Sequence, residues 1–244
     1  MQDKAKLTEQ AVNRFVEMAL ARQIKDADKI EVRLKFELNR LMRGETDSIL
    51  IKIQGLLLSH HLRVICLQLE MGQVAVKPLQ AMRRKIILVE PVAGWLTIEL
   101  NEQQMAESIN NGACLGSINQ RWQKINQNNL ALQSVSCQFR EEGTIAFQGR
   151  LGSQAESDLQ SIEFTVVPSI DSQTNQVYFQ NVQIIKGEDT FSSLAELISQ
   201  EISDALQLKE FEQQAVSLKP QQLELIPHLL KIQWAAHIEQ FPSS

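Results

Sequence analysis

Residues 30–38 read Ile30-Glu31-Val32-Arg33-Leu34-Lys35-Phe36-Glu37-Leu38. Apolar and charged side chains alternate through the whole stretch. Successive side chains of an extended chain point to opposite faces, so this is a strand with one apolar face and one wet face. A turn follows at Arg43-Gly44-Glu45-Thr46-Asp47, and the next strand, roughly 48–58, sets Ile49, Ile51 and Ile53 on one face. Further strands are expected at 62–70, 73–77, 84–90 and 94–100. Short β segments in series with no helix between them make an antiparallel sheet.

Upstream, residues 8–23 read as an amphipathic helix. Thr8 caps it, Leu7 staples against Val12, and Val12, Phe15, Val16 and Ala19 form its apolar stripe. Downstream, 101–125 is helical in two pieces that break near Asn110-Asn111-Gly112, with Asn101 and Gln104 spaced as a capping box. Strands return at 129–139 and, after the turn at Arg140–Gly143, in the alternation of Ile145, Phe147, Gly149 and Leu151. A strand pair at 161–167 and 177–186 is joined by Asp171-Ser172-Gln173-Thr174-Asn175. Residues 190–206 carry the clearest helical stripe, Leu194, Leu197, Ile198, Ile202 and Ala205, behind a cap at Asp189 or Thr190. Strands near 210–218, 222–226 and 229–239 close the chain. No linker or low-complexity tract divides it. The pattern predicts one α+β domain over 1–244, with residues 1–27 as an N-terminal helix packed on it. A long, strongly curved antiparallel sheet wraps the remaining helices.

At 244 residues the chain is long enough to bury a sizeable core without staples. Its hydrophobic share of 43% and charged share of 22% are those of a globular protein. The net charge of −5 is divided unevenly. Residues 1–100 hold 16 basic against 12 acidic residues, and residues 101–244 hold 8 against 17. An acidic chain lacks the broad basic footprint that nucleic acid needs, so nucleic acid is not expected as a partner. The opening residues contain no apolar run of the secretory kind, and no stretch approaches a membrane span. The expectation is a cytoplasmic protein, peripheral at most on a cytosol-facing membrane.

Catalysis requires a nucleophile or base with an orienting partner, or a metal. Cys66, Cys114 and Cys137 are far apart and show no ligand spacing. His60 and His61 are adjacent, so their side chains diverge, and His228 and His237 are isolated. The acidic turn Asp26-Ala27-Asp28 lacks the loop of a calcium site. No metallopeptidase, nucleophile-elbow, phosphate-loop or dinucleotide motif occurs. The chain reads as a binding protein with no catalytic residue, no metal site and no cofactor. One cluster stands out. Lys77, Arg83, Arg84 and Lys85 fall within nine residues with no acid among them, and Arg40 and Arg43 lie in another turn of the same half. If the sheet brings these turns to one end, they form a site for an anionic headgroup or membrane.

Several segments carry a further pattern. Leu41-Met42-Arg43-Gly44-Glu45-Thr46-Asp47-Ser48-Ile49 precedes Ile53-Gln54-Gly55-Leu56. Gly72-Gln73-Val74-Ala75-Val76-Lys77-Pro78-Leu79 and Ile87-Leu88-Val89-Glu90-Pro91 follow, then Phe164-Thr165-Val166-Val167-Pro168 and Phe241-Pro242. Over residues 28–242 this resembles the LmeA-like phospholipid-binding family, nearest to its cyanobacterial branch. The most specific parts are the G-x-x-D-S and V-x-P-L segments. The resemblance implies a fold akin to the tubular lipid-binding proteins, in which a curved sheet wraps a helix and leaves an apolar groove for acyl chains. It implies phospholipid or fatty acid as the ligand, held by Val32, Leu34, Phe36, Ile51, Ile53, Phe147, Phe164, Leu194 and Ile198. Two departures stand out: envelope members carry a secretory signal or anchor, and Arg83-Arg84 here occupies a position that is small in many relatives. The alternative is an assembly partner of a membrane complex that holds no lipid.

Overall fold

The computed structural model describes residues 2–24, 26–58, 62–77, 88–125, 130–153, 160–187, 191–212 and 215–239. The order is α1 (Gln2–Gln23), β1 (Lys29–Lys35), α2 (Leu38–Leu41), β2 (Glu45–Thr46), β3 (Ser48–Gln54), β4 (Cys66–Met71), β5 (Val74–Ala75) and β6 (Val92–Leu100). Then come α3 (Glu102–Asn110), α4 (Gly112–Ile125), β7 (Leu130–Phe139), β8 (Ile145–Ser153), β9 (Gln160–Asp171) and β10 (Gln176–Lys186). The chain closes with α5 (Ser192–Ala205), α6 (Lys209–Glu212), β11 (Val216–Ile226) and β12 (Leu229–Ile238).

The expected α+β composition and antiparallel pairing are present, but the strands form two main sheets instead of one long one. Six strands run in the order β1-β3-β4-β6-β12-β11, four run β10-β9-β8-β7, and β2 pairs with β5 in a separate ladder. The break follows from the helical pair α3–α4. Those helices leave β6 and return the chain at β7, which starts a second sheet and has no ladder to the first.

Burial follows the alternation read from the sequence. Ile145, Phe147, Gly149 and Leu151 of β8 are buried, as is the whole stripe Leu194, Leu197, Ile198, Ile202 and Ala205 of α5. Asn101 caps α3 by accepting from the Gln104 N–H at 3.0 Å. One main core joins both sheets to α3, α4 and α5 through Ile98, Met105, Ile109, Ile118, Trp122, Phe147, Phe164, Ile198 and Ile232.

Three expectations are corrected. On α1, Phe15 is 70% exposed and Ala19 is exposed, because α1 presents Asn13 and Glu17 to the sheet. The strands expected at 210–218 and 222–226 are one strand, β11, that starts at Val216, and Lys209–Glu212 is a short helix. Pro220 is tolerated within β11 because this is an edge strand with a register shift at that point. The strand expected at 62–70 begins only at Cys66; of the stretch expected at 84–90 only 88–90 is described, with a bridge from Leu88 to Val76. The expected caps Asp189 and Thr190, the pair His60-His61 and the side chain of Thr8 lie outside the described residues.

Edges β1 and β7 are covered by side chains from helices. Glu17 Oε1 accepts the Val32 N–H and Asn13 Oδ1 accepts the Leu34 N–H, each at 3.0 Å. On β7, Asn110 both accepts from the Val135 N–H and donates to the Val135 carbonyl at 2.7 Å. Asn119 does the same with Leu132 at 2.7 and 2.9 Å. Glu102 Oε1 accepts from the Phe139 N–H at 3.0 Å. An open edge strand is a template for pairing with other chains, and these polar side chains take the place of a neighbouring strand.

Candidate functional site

Register turns the alternation of β1 into a continuous apolar surface. Val32 opposes Ile51, which opposes Leu69, then Leu96, then Trp234. One step along, the row is Leu34, Ile49, Met71, Gly94, Ala236 and Leu218. One step the other way it is Ile30, Ile53, Leu67, Ile98, Ile232 and Leu223. No row contains a charged or hydrogen-bonding side chain other than the Trp234 indole.

This face is not covered evenly. Around Ile98 and Ile232 the helices and second sheet close over it, and Ile98 and Ile232 are fully buried. At the far end Met71, Val74, Leu88, Val92, Val216 and Ile238 form a second, smaller apolar cluster. Between the two, Ile51, Leu69, Phe211 and Leu218 touch both clusters and are only half-buried. Ile49 and Val76 extend this half-covered strip along the smaller cluster. Leu69, Met71, Phe211 and Leu218 were not singled out from the sequence, although the alternation Leu67-Leu69-Met71 carries the signal for the first two.

The residues expected to touch lipid divide between two places. Val32, Leu34, Ile51 and Ile53 share the inner face of the six-stranded sheet, with Phe36 half-buried just past β1. Phe147 and Phe164 stack with ring centroids 5.2 Å apart on the other sheet, and with Leu194 and Ile198 they are fully buried in the main core.

The second cluster sits beside a small backbone ladder that gathers three turns. Thr46 pairs with Val74, the Val76 N–H donates to the Gly44 carbonyl at 2.9 Å, and the Val89 N–H donates to the Ala75 carbonyl at 2.8 Å. Arg40, Arg43 and Lys77 are therefore at one end of the six-stranded sheet. Arg83, Arg84 and Lys85 lie outside the described residues. Arg40 is committed locally: it donates to Glu45 at 3.1 Å and to Asp47, and the hydrogen bond to Glu45 is the largest effect raising its pKa. Arg43 and Lys77 are exposed.

The thiols offer little reactivity. Burial pushes Cys114 and Cys137 up to about 12, with Glu201 and Glu102 adding to the respective shifts, and burial also raises Cys66. Among the described residues no group of three His, Cys, Asp or Glu side chains could hold a metal ion. Nor is any described helix long and apolar enough to cross a membrane.

These features define an α+β protein with a half-covered apolar sheet face. The sequence model of the LmeA-like phospholipid-binding family matches residues 4–233. The chain belongs to that family. No curated protein and no solved structure matches it.

Proposed function

We propose that this protein binds phospholipid or fatty acid without catalysing a reaction, and acts as a lipid carrier or a factor at a cytosol-facing membrane surface. The acyl chain lies along Ile49, Ile51, Leu69 and Leu218, with Val32, Leu34, Phe36 and Ile53 beside it. The packed body of Phe147, Phe164, Leu194 and Ile198 supports the surface from the second sheet. The observation that carries the reading is the half-buried strip between two apolar clusters, in a chain of a phospholipid-binding family. Each CH2 withdrawn from water is worth about 0.8 kcal/mol, so covering eight of them contributes about 6 kcal/mol before association costs. Arg43 and Lys77 stand at the end of the strip to meet an anionic headgroup.

The test is lipid extraction and mass spectrometry on protein purified without detergent. Wild type should carry phospholipid or fatty acid near one per chain, and Ile51→Trp, which fills the strip, should carry less than about a tenth of that. Protein that is lipid-free and also takes up no phospholipid from vesicles would overturn the reading.

A further inference from the structure

Four half-buried side chains bridge the two apolar clusters: Ile51, Leu69, Leu218 and Phe211. The first three belong to the inner face of the six-stranded sheet, on β3, β4 and β11. Phe211 comes from outside the sheet, on α6. Its ring therefore rests on the strip instead of forming part of it.

Little besides that contact keeps α6 where it is. It is a single turn of four residues, with the Phe211 N–H donating to the Leu208 carbonyl at 3.0 Å. One turn does not offset the cost of nucleating a helix, so its position depends on packing. The other residues of α6 are Lys209, Glu210 and Glu212, which leaves Phe211 as its one apolar side chain. The chain is pinned on both sides. Leu208 is 1% exposed, and the Ala215 carbonyl accepts from the Glu239 N–H at 3.1 Å. Both pins are non-glycine residues in the left-handed region, with φ of 53° at Leu208 and 59° at Ala215. A residue with a side chain occupies that region at a cost, so the backbone does not favour this path unaided.

An acyl chain laid along Ile51, Leu69 and Leu218 needs the surface that Phe211 covers, so ring and chain compete for it. We propose that Phe211 is a built-in plug: it takes the place of the acyl chain on the strip, and lipid enters by displacing it. Affinity for lipid is then set in part by how firmly the ring sits, because only molecules with the ring lifted can bind. The proposal rests on the lipid-binding reading and assigns the control of that same site.

The sign of one substitution decides it. Phe211 and Leu218 are both half-buried and touch both clusters, so as plain walls of a lipid site they would respond alike to truncation. Protein stripped of lipid is titrated with a pyrene-labelled fatty acid. Leu218→Ala should bind about tenfold more weakly, through lost apolar contact. Phe211→Ala should bind about tenfold more tightly, because the probe no longer displaces a packed ring. A thermodynamic cycle supplies a second readout, since the plug stabilises only the lipid-free form. Stripped Phe211→Ala should melt below wild type, and saturation with the fatty acid should close the gap. Equal or weaker binding by Phe211→Ala, with wild type binding the probe, overturns the plug and leaves the lipid reading standing. A gap in melting that persists at saturation overturns it as well. Wild type that refuses the probe while Phe211→Ala accepts it supports the plug. Uptake by neither protein sinks the strip as a lipid site and the plug with it.

Discussion

Replacing Asn110 by alanine should open the edge of the four-stranded sheet, and the structure sets the size of the effect. Asn110 makes two 2.7 Å hydrogen bonds to the backbone of Val135, one in each direction. A hydrogen bond of this kind is worth about 1 kcal/mol net, and more where its loss strands a shielded partner. Asn110 is itself exposed, so water can reach the vacated N–H and C=O and limit the penalty. The expected loss is about 2 kcal/mol, and Asn119→Ala, which releases both backbone groups of Leu132, should cost a similar amount. The two together should cost about 4 kcal/mol, a large part of the stability of an ordinary domain. Urea unfolding followed by circular dichroism gives the energies. Amide exchange gives the location: Val135 and Leu132 should lose protection before the β8–β9 ladder does. The freed edge should also promote self-association at high concentration. If each single variant loses less than about 0.5 kcal/mol and the Val135 and Leu132 amides stay protected, the clamps do not hold the edge.

Three other outcomes are expected. Gly94→Ala places a Cβ 2.4 Å from the Glu70 carbonyl oxygen of the adjacent strand, so backbone must shift, and a thermal melt should show a loss of at least about 2 kcal/mol. In the folded protein at pH 8, Cys114 and Cys137 should react with a thiol reagent at least about tenfold more slowly than free cysteine, because burial holds both near 12. The Asp171 carboxylate accepts from the Gln173 N–H and from Thr174, which lowers its pKa. Its contribution is therefore present above its unfolded pKa and is lost as pH falls through its lower folded value. Asp171→Ala should lower stability at pH 7 and narrow its deficit against wild type in acid, as read from urea midpoints across pH.

What could be read from the sequence was local periodicity. The alternation at 30–38 and 145–151 and the stripe at 194–205 are consequences of which face is buried; all three elements appear, but the first strand ends at Lys35 and Leu38, expected to face inward, is exposed on the short helix α2. Phe15 misled because an apolar stripe is the usual reason for a helix to pack. Here α1 is held by Asn13 and Glu17 on backbone donors, a contact with no periodic signature. The division into two sheets depends on where α3 and α4 send the chain, which strand patterns do not encode. The half-covered strip was equally out of reach: Ile51 and Ile53 look alike in sequence, and only the position of the helices leaves one half-covered and the other buried. Pairing of Gly44 with Val76 brings the turn that carries Arg43 beside the end of β5, a contact between distant residues that no local pattern encodes.

The spacing of the β7 clamps accounts for the break between α3 and α4. From Glu102 to Asn110 a helix rises about 12 Å, and their strand partners Phe139 and Val135 are about 13 Å apart, so α3 stays in step with β7. From Asn110 to Asn119 a straight helix would climb about 13.5 Å, but the gripped residues Val135 and Leu132 are separated by only about 10 Å, before the local register shift shortens the path further. A single rod cannot satisfy all three grips. The interruption at Asn111, whose ψ of 134° leaves the helical region, frees the second rod from the axis of the first, and it packs on both β7 and α5. The break between α3 and α4 thus resolves a gear mismatch between two polymer repeats, set by the positions of two asparagines.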